Sequence, residues 1–209
     1  MKILIIGATR GVGLNLLSQS LSQGHTVSVL ARDPDSSSLS GKEVRIIGGD
    51  IMESERVVEA VRGQDVVCLC IGIAATRKPV NVFSTGTKHV VDAMEAEGIK
   101  RLICVTGIGA GDSKGHGGFF YDKLFNPLFL KTIYADKDKQ ESIIRESHLD
   151  WVIVRPGFLF NGPVTKTYKI LTDLKGVTSG KISRGDVADF LLSELEEGKY
   201  RKLTPLLTY

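Results

Sequence analysis

Gly7-Ala8-Thr9-Arg10-Gly11-Val12-Gly13 follows directly on the apolar run Ile3-Leu4-Ile5-Ile6 and leads into a pattern with Leu14, Leu17 and Leu21 on one helical face. This reads as a buried strand, a glycine turn and a helix start. In that arrangement backbone N–H groups and the positive helix end hold a pyrophosphate. Gly7 lets the chain turn off the strand, Gly11 lets the backbone approach phosphate oxygens, and Gly13 lets the helix pack closely on the sheet. Thr9, Arg10 and Val12 complete the turn, and the expected ligand is a dinucleotide. The spacing G-x-x-x-G-x-G also fits an ordinary strand-to-helix turn, so the reading depends on what surrounds it.

The helix is expected to end at Gly24, and His25-Thr26-Val27-Ser28-Val29-Leu30 forms a second β-rich segment. The whole makes a βαβ unit of about 30 residues. An NAD site would close that second strand with an acidic residue that binds the ribose hydroxyls. Here Arg32 stands at the strand end and Arg10 in the glycine turn, with Asp33 one residue late. Two guanidinium groups at these places suit a 2′-phosphate, which predicts NADP(H) as cofactor.

The chain has 209 residues, enough for one substantial core and short for two domains of ordinary size. Its net charge of +3 comes from scattered Lys and Arg, which gives no nucleic-acid footprint. The apolar opening is broken by Gly7, too early for a signal peptide, and no segment approaches the length of a membrane span. A cytoplasmic protein with a small-molecule substrate, monomeric or a small homo-oligomer, is expected. Cys68, Cys70 and Cys104 fall within buried strands, with Cys68 and Cys70 on one face, and read as packing residues. His25, His89, His116 and His148 lack ligand spacing, and no metal is expected.

Further apolar segments, 44–50, 65–72, 101–106 and 150–154, alternate with helical patterns near 55–61, 82–96 and 134–146. Near-continuous apolar strands separated by helices predict a doubly wound α/β fold, a parallel sheet of Rossmann type in a single domain. The stretch 33–40 reads as a surface loop. Ligands in such sheets lie beyond the carboxyl ends of the strands. Arg32, Asp50-Ile51, Ile71-Gly72, Thr106-Gly107 and Arg155-Pro156-Gly157 stand there. Asp50 is a candidate for the adenine amino group, with Ile51 on the ring, or for a cap on the next helix. Gly72 would let the chain pass beneath the cofactor, Thr106 would adjoin the nicotinamide, and Pro156-Gly157 would border it. Arg155 reads as structural, and Ser183 with Asp186 as the start of a closing helix.

Taken together, Gly7–Gly13, Leu30-Ala31-Arg32-Asp33, Gly49-Asp50, 134–141, 149–157 and Ile182-Ser183-Arg184-Gly185-Asp186-Val187-Ala188 resemble the atypical short-chain dehydrogenases/reductases. The similarity is to the group containing biliverdin-IXβ/flavin reductase and NmrA-like NAD(P)H-binding proteins, and it covers nearly the whole chain. It implies an NAD(P)-binding Rossmann domain over residues 1–209, with a short substrate-side portion from about 158 to 209. Lys137 takes the place of the family lysine, and Thr106 retains a hydroxyl where a serine is usual. Tyr134 lies three residues before Lys137 rather than four. These three are the candidate catalytic residues, with Lys137 and Thr106 also contacting cofactor. The altered spacing disfavours alcohol/ketone chemistry and, with the short C-terminal portion, a sugar-nucleotide epimerase. The implied reaction is NADPH-dependent hydride transfer to a planar conjugated acceptor such as a flavin or linear tetrapyrrole. The alternative is a non-catalytic NADP(H)-binding redox sensor.

The loop from Gly107 to Phe129 combines six glycines with Phe119-Phe120-Tyr121. It suits a lid over a planar substrate, and equally a helix that packs Phe119, Phe120 and Phe125 into the core. Asp112, His116 and Tyr121 are polar groups available to line such a site.

Overall fold

The computed structural model describes residues 1–119, 124 and 129–209. Among the described residues, ten strands and five α-helices follow in the order β1 (Lys2–Ile6), α1 (Gly11–Ser22), β2 (Thr26–Ala31), β3 (Val44–Gly48), α2 (Ser54–Val61), β4 (Val66–Leu69), α3 (Val82–Ala96), β5 (Arg101–Val105), α4 (Lys131–Glu146), β6 (Asp150–Pro156), β7 (Phe158–Phe160), β8 (Lys169–Leu171), β9 (Lys181–Ser183), α5 (Arg184–Glu197) and β10 (Leu206–Thr208). The main sheet has the order β3-β2-β1-β4-β5-β6-β10-β8, parallel throughout except for the antiparallel β10–β8 pair. Strands β7 and β9 pair separately. The order reverses between β1 and β4, which opens a crevice where doubly wound sheets bind ligands.

Strand alternation explains why the sheet is covered on both faces. Ile3 and Ile5 of β1, Cys68 of β4, and Ile103 and Val105 of β5 enter one core with α1 and α5. Leu4, Ile6, Val67, Leu69, Leu102 and Cys104 enter the other, beneath α2, α3 and α4. Helix α1 ends in the predicted way: Gly24 adopts φ 78°, its N–H bonds to the Leu21 carbonyl and the next N–H to that of Ser20. The loop over 33–40 is mostly exposed but anchored by buried Leu39. Among the described residues, no helix is long and apolar enough to cross a membrane.

The expected α/β architecture is present, with differences at its edges. The third and fourth strands end two and three residues earlier than expected, at Gly48 and Leu69, the sixth continues to Pro156, and α4 begins at Lys131 rather than Tyr134. Of the four short strands after β6, β10 and β8 extend the edge of the main sheet and β7 and β9 form a sheet of their own; three-residue segments could not signal either by periodicity.

Candidate functional site

The glycine turn sits at the crevice between β1 and β4. Gly7 has φ 95°, and a Cβ there would lie 2.5 Å from the Cys70 carbonyl oxygen. A Cβ on Gly13 would lie 2.1 Å from the Gly7 carbonyl, so the helix reaches the turn only because that side chain is absent. Gly11, at φ 63°, has open space around its Cβ position, the nearest atom being Arg184 Nε at 3.8 Å. Arg10 precedes α1 without a capping side-chain bond. Among the described residues no side chain caps α1, which leaves its first N–H groups to a ligand such as phosphate. Thr9 is half-buried, Val12 is in the core, and Arg10 Nη2 donates to the Gly72 carbonyl at 3.0 Å across the crevice.

At the end of β2 the side chain of Arg32 is 79% exposed, its Nε 3.9 Å from Asp50 Oδ2. Asp50 also accepts from Met52 N–H at 3.0 Å within the turn before α2, whose N-cap position is taken by Glu53, so it is not the helix cap offered as its alternative. Ile51 is buried in the core, where a Cβ on Gly86 of α3 would approach it to 2.9 Å, and its carbonyl meets His89 Nδ1. Ile71 is half-buried and Gly72 exposed where the chain leaves β4.

Beyond β5 the structure joins the predicted Thr106 and Lys137 to Glu141, which the sequence did not single out, and to Arg155, which it read as structural; Tyr134 lies near the same strand end. Lys137 Nζ donates to the Thr106 carbonyl at 2.5 Å and lies 4.7 Å from the centre of the Phe83 ring. Burial drives its pKa down to about 8, a fall that the charges of Glu141 and Asp136 only partly oppose. The Thr106 hydroxyl donates to Glu141 Oε1 at 2.8 Å. Arg155, fully buried, donates from Nε to Glu141 Oε1 at 3.0 Å, from Nη2 to Oε2 at 2.5 Å, and from Nη1 to Asp112 Oδ1 at 2.5 Å. Burial alone would lower the Arg155 pKa, but Glu141 and Asp112 outweigh it and raise it. The partly exposed Asp112 carboxyl is held below its ordinary value, Arg155 overcoming the opposing effect of burial. Tyr134 Oη lies 3.2 Å from the Cβ position of Gly107, so despite its three-residue spacing it points to the same strand end as Thr106.

A polar interior to α4 makes this possible. Ile133, Asp136, Lys137, Gln140, Glu141 and Ile144 share its buried face. Asp136 accepts from the N–H groups of Phe83 and Ser84 and from the Ser84 hydroxyl, and so caps α3 from a neighbouring helix. Gln140 donates to Thr87 at 2.9 Å. The spacing 133, 136/137, 140/141, 144 was available as a signal: it is the stripe where an amphipathic helix puts its core residues, here occupied by charges.

Pro156 and Gly157 are buried at the end of β6. Gly157 is pressed against the Gly180 carbonyl, 2.3 Å from where its Cβ would be, so it serves the β6–β9 junction. His116 Nδ1 meets the Val177 carbonyl, tying its loop to the segment before β9. Phe119 is 74% exposed rather than packed in the core; Phe120, Tyr121 and Phe125 lie outside the described residues. Cys68 and Cys104 are buried as packing groups, and burial lifts the Cys68 thiol to about 12.

A family model described as NAD(P)H-binding matches residues 7–198. An uncharacterized sugar epimerase, YhfK of Bacillus subtilis, is 29% identical over 203 residues, covering 94% of this chain and 89% of its own. The structure of ChuY, an anaerobilin reductase of Escherichia coli O157:H7, superposes with a TM-score of 0.86 at 25% identity, covering 100% of this chain and 97% of that one. A short-chain dehydrogenase/reductase of Veillonella parvula in complex with NADP shares the fold, with a TM-score of 0.83 at 18% identity over 100% of this chain and 94% of its own. The cradle between β1 and α1, closed to any side chain at Gly7 and Gly13, is what such a match requires, and the chain belongs to the NAD(P)H-binding family.

Proposed function

We propose that the protein is an NADPH-dependent reductase of planar, conjugated acceptors, a flavin or a linear tetrapyrrole. The observation that carries this is the direction of the hydrogen bonds beyond β5. A threonine hydroxyl has one hydrogen, and Thr106 donates it to Glu141, whose two oxygens also accept from two Arg155 N–H groups. Thr106 can therefore accept a hydrogen bond from a ligand but has none to give a carbonyl oxygen. Lys137 is committed to the Thr106 carbonyl and keeps further N–H groups for ribose hydroxyls. A conjugated acceptor fits this arrangement, since its proton can come from solvent.

The residues that would hold the cofactor are Gly7, Thr9, Gly11, Val12 and Gly13 at the pyrophosphate, Arg10 and Arg32 at the 2′-phosphate, and Asp50 with Ile51 and Ile71-Gly72 along the adenosine. Lys137 and Thr106 would meet the nicotinamide half, bordered by Pro156-Gly157. When bound, NADPH supplies a hydride from its nicotinamide. The segment 158–209 would form the substrate side: Phe158, Leu159 and Val164 leave apolar surface exposed just past β6, which suits a flat ring system. The similarity to ChuY, described as an anaerobilin reductase, supports a tetrapyrrole among the acceptors.

Steady-state oxidation of NADPH and NADH with FMN, FAD and biliverdin tests the proposal. Turnover with at least one acceptor and preference for NADPH is expected. Tight NADPH binding with no turnover would instead assign a redox-sensing role.

A further inference from the structure

The start of α5 delivers an arginine onto the glycine turn, and we infer that Arg184 is a further cofactor-binding residue, reaching the pyrophosphate of the dinucleotide from the opposite side to Arg10. This rests on the proposed use of the β1–α1 turn as the pyrophosphate cradle. Arg184 Nε lies 3.8 Å and its Cδ 3.9 Å from the Cβ position of Gly11, the one glycine of the turn with room above it. The guanidinium thus covers the backbone on which phosphate oxygens would rest.

Its base is built rigidly. Ser183 is buried, accepts from Asp186 N–H at 2.9 Å and donates to the Pro163 carbonyl at 2.9 Å. Gly185 packs where a Cβ would meet the Gly162 carbonyl at 3.1 Å, and its own carbonyl receives Gln19 Nε2 of α1 at 3.0 Å. Asp186 is fully buried and accepts from Thr165 N–H, Lys166 N–H and the Tyr209 hydroxyl. These contacts fix the first turn of α5 against α1 and against the 161–163 segment, so the arginine stem has a defined origin.

The electrostatics call for an anion. Arg184 occupies the first turn of α5 and lies over the first turn of α1, next to the positive ends of two helices, where a cation is disfavoured and an anion favoured. Among the described residues no carboxylate pairs with it. Its polar partner is the neutral Asn161 Oδ1, 2.9 Å from Nη1, which orients the guanidinium without neutralising it. A diphosphate between Arg184 and the α1 amides would offset the repulsion and use the remaining N–H groups. The residue belongs to the segment 182–188 that marks the family resemblance, yet strand and helix patterns assign it only a position.

Calorimetric titration with NADPH and with NADH tests the assignment on wild type, Arg184→Ala, Arg184→Lys and Arg32→Ala. Because the pyrophosphate is common to both cofactors, Arg184→Ala should weaken both by the same factor, about 10- to 100-fold, the range of a charged hydrogen bond. Arg184→Lys should recover part of the loss, with an unchanged denaturation midpoint. Arg32→Ala should weaken NADPH alone. Wild-type affinities in Arg184→Ala would overturn the assignment, and a raised KM for FMN in that variant would give the arginine to the acceptor instead. A wild type that binds neither cofactor would remove the cradle reading as well, so the two failures are told apart before any variant is compared.

Discussion

Lys137 is more than a motif position. The resemblance places it beside the nicotinamide ribose; the structure adds that it is buried with its amine on the Thr106 carbonyl, and burial lowers its pKa to about 8 from 10.5. Between those values the unfolded chain binds more protons than the folded one, so stability rises with pH across that window. Below pH 8 both states are protonated and the contribution is constant. Urea denaturation should show wild type gaining on Lys137→Met from pH 8 to 10.5, by as much as about 3 kcal/mol for a fully buried amine. Parallel curves for the two proteins across that range would show that Lys137 keeps an ordinary pKa. Tyr134 was legible only in part: its distance of three from Lys137 allowed the same helix face, but its nearness to Gly107 depends on where α4 starts and how it lies on β6. Glu141 and Arg155 were less legible still, because a buried ion pair joins residues 14 apart on different elements and leaves no local pattern.

Elements were read with most success where physical period and punctuation agree. The β1–α1 turn, the alternating cores and the Ser183 cap follow from local rules, and each appears where the residues place it. The strands beyond β6 did not, since three residues carry no alternation and their pairing comes from the tertiary arrangement of the C-terminal segment. The two inner glycines of the turn now separate into different roles. Gly13→Ala forces a Cβ onto the Gly7 carbonyl, and either α1 or the turn must move. It should lower stability by about 1–3 kcal/mol and weaken NADPH more than tenfold as the α1 amides shift. Gly11→Ala meets no atom closer than 3.8 Å and retains a left-handed φ, so its cost is backbone strain of about 1–2 kcal/mol. Denaturation with NADPH titration checks the pair; unchanged affinity in Gly13→Ala would place the pyrophosphate elsewhere.

Across the fold as a whole, charge takes the place of apolar packing between α4 and the carboxyl ends of β5 and β6. Arg155 on β6, Glu141 on α4, Thr106 after β5 and Asp112 in the following loop form one connected set, and a Cβ on Gly111 would lie 2.3 Å from Arg155 Nη2. The set thereby fixes the height of α4 on the sheet, and with it the positions of Lys137 and Tyr134. A buried pair of this kind contributes little over apolar residues of the same shape, but removing one member strands the other charge. Arg155→Met should therefore cost about 3–5 kcal/mol by taking the hydrogen-bonding guanidinium from buried Glu141, which keeps only the more exposed Arg145, 3.6 Å from its Oε2. Adding Glu141→Gln should return at least about 1 kcal/mol, because a buried charge faced only by the half-exposed Arg145 is gone while an amide oxygen can still accept from Thr106. Asp112 is open to solvent and is expected to need no rescue. Denaturant titration of the two single variants and the double variant measures the coupling. Costs that simply add would mean the pair is screened and that α4 is held by the apolar contacts of Ile133 and Ile144 instead.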